Sequence, residues 1–275
     1  MEQYIVKKVL NNNVVIAEKN AEEFVIVGKA IGFNCHKGAE IGEDKVEGIF
    51  VKQSAKSNEE FNEVLKKINS EIIGISEEII SLCEKELEQK ISEAIHISLP
   101  DHINFAITRI KEGIKIENPF LSELEVLYPK EYKLAKKALE MINDRFQVNL
   151  PEDEIGFICM HINAAISEKK VSDTLVHTKK INEIMQFIFK LLKKKIDTKS
   201  LSYIRTITHL NFMIERILNK KSIKNNLLDA IKKEYYNEYG IAIKVAMKIE
   251  DLFCVNVPED EIGYITLHIN RIKDI

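Results

Sequence analysis

The chain has 275 residues, of which 45% are apolar and 30% charged, a composition typical of a soluble globular protein with about two domains. A formal net charge of −3 excludes bulk attraction to nucleic acid but leaves room for specific binding through a small patch. The first ten residues lack the apolar stretch of a signal peptide, and no apolar run reaches the roughly 18 residues of a membrane span. We therefore expect a cytoplasmic protein whose four cysteines, none in CxxC spacing, are free buried thiols.

Residues 1–56 differ in composition from the rest of the chain. They hold five of the ten glycines, and short runs rich in Val, Ile and Phe alternate with polar turns such as Asn11–Asn13 and Lys37–Gly38. This pattern predicts a small antiparallel β-sheet, with strands near residues 4–10, 13–17, 23–27 and 49–52. Because such a sheet is close to the lower size limit for independent stability, we expect it to dimerise.

The chain from residue 57 onward has the pattern of helices. Ser57 and Glu60 have the spacing of a capping box, and apolar residues with a helical period follow from Phe61 to Ile68. Further along, PEDEIGFICMHIN at 151–163 returns as PEDEIGYITLHIN at 258–270, an offset of 107 residues. The same offset aligns DHINFAITR with THLNFMIER. We therefore predict two helical domains of one fold, at residues 57–170 and 171–275.

The repeat pairs four of the seven histidines, His102 with His209 and His161 with His268. Since duplication also preserves core residues, each histidine taken alone is more simply explained as a partly buried helix residue. Pro100 favours a helix start, which would place His102 in a first turn. Free N–H groups there favour a neutral imidazole and a bound phosphoryl group. A neutral imidazole is the form that attacks a phosphoryl donor.

Charged residues accompany both histidine pairs. The acidic run Glu152–Glu154 is typical of a first helical turn, and the sequence leaves open whether its carboxylates face His161. Arg109 and Arg216 each follow a repeated histidine by seven residues, about 10 Å along a helix, so we expect structural or interface contacts rather than contact with that histidine. A metal site is a rival interpretation, but neither HExxH nor a close histidine pair is present, and no glycine-rich phosphate loop occurs.

Together these segments resemble a known family. KKVLNNNV at 7–14 and VGKAIGF at 27–33, followed by the repeated histidine segments, are similar to the BglG/LicT/SacY transcriptional antiterminators, in the family's order and over essentially the whole chain. The resemblance implies a co-antiterminator RNA-binding domain at residues 1–56 and two PTS regulation domains after it. The implied fold is a small antiparallel β domain followed by two homologous all-α helical bundles. Such a protein is a homodimer that holds an antiterminator hairpin in mRNA leaders of sugar-utilisation genes, and it is not an enzyme and needs no cofactor.

The family's site residues carry over by position. The resemblance implies RNA contacts at Lys8, Asn11, Asn13, Gly28, Lys29 and Phe33. It implies phosphorylation at His102, His161, His209 and His268. The partners would be the phosphocarrier HPr, activating through the second regulation domain, and a sugar-specific PTS permease (enzyme II), inhibiting through the first. Lys29 stands where arginine is common, and Thr208 replaces the acid seen at Asp101, so RNA preference and phosphorylation chemistry can depart from the family's pattern.

Two other functions stay open on the sequence. One is a PTS-regulated sensor that binds a protein partner rather than RNA, and the other is a metal-dependent helical phosphohydrolase. For the antiterminator, the hypothesis is that phosphoryl charge, about −1.5 to −2 at neutral pH, opens the first regulatory dimer interface and closes the second. Inverting a 1:99 equilibrium takes about 5.5 kcal/mol, which two phosphoryl groups at an interface can supply.

Overall fold

The computed structural model describes residues 3–20, 22–51 and 67–273. The predicted capping box at Ser57 and Glu60 lies outside this part of the chain. The chain divides into two compact units. The first joins Met1–Asn118 to Lys130–Val171, and the second joins Pro119–Pro129 to Ser172–Ile275.

The N-terminal part of the first unit is a five-stranded antiparallel sheet with strand order β4-β1-β2-β3-β5. The strands are β1 (Gln3–Asn11), β2 (Val14–Lys19), β3 (Glu22–Val27), β4 (Glu40–Gly42) and β5 (Gly48–Val51). Side chains alternate along β1, where Tyr4 and Val6 are buried among Val15, Ala17 and Ile26. The predicted sheet is confirmed. The short β4 was not predicted, because three residues carry too little alternation to identify a strand.

Ten helices follow among the described residues. They are α1 (Ser70–Leu87), α2 (Ile95–Lys111), α3 (Leu121–Leu127), α4 (Pro129–Phe146), α5 (Asp153–Ile166), α6 (Val171–Leu192), α7 (Leu201–Leu218), α8 (Leu228–Glu234), α9 (Tyr236–Phe253) and α10 (Glu259–Lys273). Helices α1, α2, α4 and α5 belong to the first unit, and α3 with α6 to α10 belongs to the second. The short α3 therefore packs with the helices of the second unit, although it precedes the repeated segment at 151–163.

Helix α1 packs directly on the sheet, against β1, β2 and β3. It starts at Asn69, whose side chain accepts a hydrogen bond from the backbone N–H of Glu71, the usual arrangement at a helix N-terminus. Its buried residues include Ile73 and Ile79, which are fully inaccessible to solvent. A β-carbon added at Gly74 would lie less than 3.0 Å from the side chain of Asn11, so only glycine permits this approach of helix and sheet.

The second unit is built around one apolar core. Its fully buried members include Ile188 on α6, Ile207 on α7, Val245 on α9 and Ile269 on α10. Helix α3 joins this unit through Glu123, which accepts hydrogen bonds from the hydroxyl of Tyr203 at 2.6 Å and from the side-chain amide of Asn182 at 2.7 Å. A buried carboxylate is stable when such donors satisfy it.

The expectation that all four cysteines are buried thiols is wrong for two of them. All four cysteines are free, but only Cys83 and Cys159 are buried, whereas Cys35 is half-buried and Cys254 is exposed. Cys254 is exposed because it ends α9 in a left-handed backbone conformation, outside the packed helix face. Among the described residues, no helix combines the length and the apolar character that crossing a membrane requires.

Candidate RNA surface and histidine pairs

The turn between β1 and β2 and the loop after β3 lie side by side. The backbone N–H of Gly28 donates to the carbonyl of Asn13, and that of Gly32 donates to the carbonyl of Asn12, both at 2.9 Å. The side-chain oxygen of Asn13 accepts from the backbone N–H of Ala30, also at 2.9 Å. These bonds join residues 11–13 to residues 28–33 in a single surface, which we call the turn–loop surface.

The turn–loop surface contains five of the six predicted RNA-binding residues. Lys29 and Phe33 are exposed, Phe33 to 62%, whereas Gly28 is buried. The side chains of Asn11 and Asn13 are held by hydrogen bonds. The sixth residue, Lys8, is exposed on β1, paired with Ile16 of β2.

An exposed phenylalanine beside exposed lysines is an arrangement suited to single-stranded RNA. A base can stack on the ring while the ammonium groups contact phosphates. Gly32 lets the loop approach the turn closely, because a β-carbon there would lie less than 3.0 Å from the carbonyl oxygen of Asn11.

The first histidine pair joins α2 to α5. The ring centroids of His102 and His161 are 4.9 Å apart. Nε2 of His102 lies 2.8 Å from Oε2 of Glu154, a carboxylate whose side chain is 1% exposed. Nδ1 of His161 lies 3.3 Å from the hydroxyl of Ser98. Burial, with a smaller effect of nearby His102, lowers the pKa of His161 to about 3, so this imidazole is neutral at physiological pH.

The predicted position of His102 in a first helical turn is wrong. Helix α2 begins at Ile95, so both Pro100 and His102 lie inside it, and His209 likewise lies inside α7. The start of α2 is determined by packing of the buried Ile95 and Leu99, which outweighs the preference of proline for a first turn. Free helix N-terminal groups therefore do not act on either histidine.

The second histidine pair joins α7 to α10 and borders a cavity. The ring centroids of His209 and His268 are 4.5 Å apart. Burial, then the charges of His209 and Arg271, lower the pKa of His268 to about 4. Within the described part of the chain, the buried Nδ1 of His268 has no hydrogen-bond partner. The adjoining cavity of about 420 Å³ is lined by both rings, by Arg216 and Glu261, and otherwise mostly by apolar side chains.

Equivalent acids make different contacts in the two repeats. Arg216 donates to Glu261 through Nε and Nη2, with three N–O distances of 3.0 Å. Burial raises the pKa of Glu261, although Arg216 acts in the opposite direction. In the first repeat Glu154 binds His102 instead, and Arg109 donates to the carbonyl of Lys115 at 2.9 Å.

The sequence left open which way the acids of the repeated PEDEIG segment face, and in the structure Glu154 and Glu261 face the two sites. Each precedes the histidine of its own helix by seven residues, a spacing that places carboxylate and imidazole on one helix face about 10 Å apart. The spacing therefore indicates the face but not the contact of Glu154 with His102 on another helix. The acid beside each of these two glutamates anchors a loop. Asp153 accepts from the backbone N–H of Asn118 at 2.6 Å, and Asp260 accepts from that of Asn225 at 2.9 Å.

Metal ligation was the rival interpretation of the repeated histidines. In the ranges that the structure describes, no group of three or more His, Cys, Asp or Glu side chains is arranged to hold a metal ion. The repeated histidines instead contact one another within each repeat, and His102 and His161 also contact Glu154 and the hydroxyl of Ser98.

Comparison with known families places these features in one class of protein. The CAT RNA binding domain family matches residues 4–59, and the PRD domain family matches residues 77–165 and 182–272. The chain therefore belongs to the family of regulators that join a CAT RNA-binding domain to two PRD domains.

Individual relatives are similar over nearly their full length. Transcription antiterminator LicT of Bacillus subtilis is 34% identical over 271 residues, covering 97% of this chain and 98% of LicT. Protein GlcT of Staphylococcus saprophyticus is 34% identical over 272 residues, covering 98% of this chain and 97% of GlcT. A solved structure described as GlcT CAT-PRDI is 39% identical, with a TM-score of 0.51, and covers 60% of this chain and 98% of that one.

Proposed function

We propose that the protein is a cytoplasmic transcription antiterminator that binds an RNA hairpin in mRNA leaders of sugar-utilisation genes. The turn–loop surface is the observation that carries this proposal, since it assembles predicted RNA-binding residues on a CAT domain. The relative named as a transcription antiterminator matches this chain over 97% of its length.

The residues of the surface suit the reading of unpaired bases. Lys8 and Lys29 neutralise backbone phosphates, and Phe33 stacks on an unpaired base. The side-chain amides of Asn11 and Asn13 supply both donors and acceptors for base edges. Residues 1–56 contain eight Lys and eight Asp or Glu, so these specific contacts must outweigh any general attraction.

The paired histidines are the proposed sites of regulation. His161 and His268 are neutral at physiological pH, and a neutral imidazole nitrogen can attack the phosphorus of a phosphorylated donor protein. A nitrogen–phosphorus bond forms on the acceptor while the bond between the phosphorus and the donor side chain breaks. We infer that the donors are HPr and a sugar-specific PTS permease, and that His102 and His209 complete the two acceptor pairs.

The regulatory output is proposed to pass through a homodimer. Domains at residues 1–56, 57–170 and 171–275 would each contact their copies. Charge on the first histidine pair would open one regulatory interface, and charge on the second would close the other. A phosphoryl group carries about −1.5 to −2 charges at neutral pH, which suits it to this purpose.

A direct binding experiment tests the RNA half of the proposal. The full chain is titrated into an RNA hairpin with internal loops, taken from a sugar-operon leader where it overlaps a terminator. A duplex of equal length without the loops serves as the control. We expect saturable binding to the hairpin at least about 1,000-fold tighter than to the duplex, the low end of typical specificity ratios. Equal affinity for both would instead favour a PTS-regulated sensor with a protein partner.

A further inference from the structure

Helix α1 of the regulatory part reaches the turn–loop surface through one acidic side chain. Oε1 of Glu78 accepts a hydrogen bond from the side-chain amide of Asn11 at 2.8 Å. Oε2 of Glu78 accepts one from the side-chain amide of Asn13 at 3.2 Å. Both asparagines belong to the predicted RNA-binding set, and a single carboxylate engages the N–H donors of both.

The carboxylate is itself held in place. Nη2 of Arg145 on α4 lies 3.1 Å from Oε1 of Glu78, whose side chain is only 14% exposed. A charged acceptor binds an amide more strongly than a neutral one does. The three contacts thus join the turn of the CAT sheet to two helices of the first unit.

The other hydrogen-bonding atoms of the two amides are also occupied. Oδ1 of Asn11 accepts from the backbone N–H of Asn13 at 2.8 Å, and Oδ1 of Asn13 accepts from Ala30. Asn11 is 4% exposed, pressed against Gly74 of α1. In this conformation Lys29 and Phe33 face solvent, whereas the two side-chain amides are turned toward Glu78.

In the second repeat the corresponding helices are joined by a different ion pair. Glu183 on α6 and Nζ of Lys248 on α9 lie 2.5 Å apart, and both side chains are partly exposed. An acid–cation pair between these two helices is therefore found in both repeats. The bonds of Glu78 to Asn11 and Asn13 come in addition to it, because α1 packs on the sheet.

We propose that this contact is autoinhibitory: Glu78, held by Arg145, occupies the amides of Asn11 and Asn13 and withholds them from RNA. The carboxylate also places negative charge where an RNA backbone would approach. RNA and Glu78 compete for the same donors, so the helix must leave the turn before the hairpin is fully bound. This proposal rests on the proposed function, because it describes the regulation of the same surface.

Two variants release the contact by different means. Glu78→Ala removes the acceptor. Gly74→Ala adds a β-carbon that cannot coexist with the present position of the Asn11 side chain, while alanine favours the helix itself over glycine. Glu86→Ala is the matched control, because Glu86 lies on the same helix and its side chain pairs with Lys137 on α4.

The affinity of the full chain for the hairpin is measured by fluorescence anisotropy, with circular dichroism to confirm folding. We expect Glu78→Ala and Gly74→Ala each to lower Kd by about tenfold, equivalent to about 1.4 kcal/mol, and Glu86→Ala to leave it unchanged. Unchanged or weaker binding by both variants, with wild type binding the hairpin specifically, would overturn the autoinhibitory contact alone. Failure of wild type and all variants to prefer the hairpin would instead overturn the proposed function.

Discussion

Glu154 binds His102 through an Oε2–Nε2 hydrogen bond of 2.8 Å, with the carboxylate almost completely buried. The equivalent acid of the second repeat, Glu261, binds Arg216 instead. The residues are the same in both repeats, but the pairing differs, because Arg109 is engaged by a loop carbonyl. The two histidine pairs therefore meet a phosphoryl donor in different electrostatic settings.

The bond to Glu154 predicts which nitrogen of His102 is phosphorylated. A carboxylate only accepts, so Nε2 carries the proton and Nδ1 retains the lone pair. We expect Nδ1-phosphohistidine at His102 and roughly tenfold or more slower transfer in Glu154→Ala, which loses the oriented tautomer. Phosphorus NMR on a chain with alanine at the other three predicted acceptors distinguishes the isomers. Exclusive Nε2-phosphohistidine would show that Glu154 does not orient the ring for transfer.

Removal of Arg216 should reduce stability more than removal of Arg109, the arginine at the equivalent position of the first repeat. Arg216→Ala leaves a carboxylate that is 1% exposed without its cation, so we expect the second unit to lose about 3 kcal/mol of unfolding free energy. Arg109→Ala is the matched control and should cost about 1 kcal/mol, since it removes an exposed bond to a carbonyl and an exposed cation–π contact with Phe105. Hydrogen exchange of the backbone amides in α10 and α5 measures the stability of the second and the first unit within one chain. Equal losses in the two units would mean that the buried Arg216–Glu261 pair stabilises the protein no more than the exposed contacts of Arg109 do.

Acid should destabilise the protein through His161. Its folded pKa of about 3 lies below the usual 6.5, so the unfolded chain binds a proton below pH 6.5 that the folded chain does not. The free energy of unfolding therefore falls as pH drops from 6.5 toward 3, by about 2 kcal/mol between pH 8 and pH 5. His161→Gln should lack this part of the pH dependence. Urea titrations at several pH values measure the free energy of unfolding of wild type and of His161→Gln. If this free energy depends on pH in the same way in both proteins, His161 is not the source of the effect.

Because Phe33 is proposed to stack on a base, we expect hairpin binding to require an aromatic ring at this position and not merely an apolar side chain. Phe33→Leu should weaken hairpin binding by about 1–3 kcal/mol, whereas Phe33→Tyr should stay close to wild type. Because the side chain is 62% exposed, neither change should alter folding. If the Phe33→Leu and Phe33→Tyr proteins bind the hairpin equally well in a filter-binding assay, the ring of Phe33 does not stack on a base.

A phosphate contact at Lys29 predicts a change in salt dependence. Lys29→Ala should weaken binding and reduce the slope of log K against log salt by about 0.7–0.9. Lys37, exposed in the next turn of the same domain, supplies the control variant Lys37→Ala, for which we expect the wild-type slope. An unchanged slope for Lys29→Ala would place this lysine away from the phosphates.

Local pattern and internal repetition predicted most of the architecture. Alternating apolar residues identified the principal strands, and the 107-residue offset identified the four repeated histidines by matching His102 with His209 and His161 with His268. The offset did not predict that the two rings within each repeat lie 4.9 Å and 4.5 Å apart. Position within a helix was not predicted. Pro100 suggested a helix start at a point where tertiary packing extends α2 back to Ile95.

Contacts between distant segments were beyond the reach of the sequence. Glu78 and Asn11 are 67 residues apart, and neither carries a local signal of the other. The sequence also did not predict that Glu154 and Glu261 bind different partners. Identical residues surround the two acids, and the partner that each one binds depends on the path of neighbouring loops. The placement of α3 in the second unit likewise depends on the buried bonds of Glu123 rather than on periodicity.

The most direct test of the account combines RNA binding with phosphorylation. The affinity of the full chain for the hairpin is measured before and after phosphorylation by HPr, and again by the permease, in wild type and in a chain with alanine at His102, His161, His209 and His268. We predict that HPr raises and the permease lowers the wild-type affinity by at least about tenfold, a coupling of about 1.4 kcal/mol, and that the alanine chain does not respond. Equal affinities in every state of the wild type, or the same response in the alanine chain, would contradict regulation through the paired histidines.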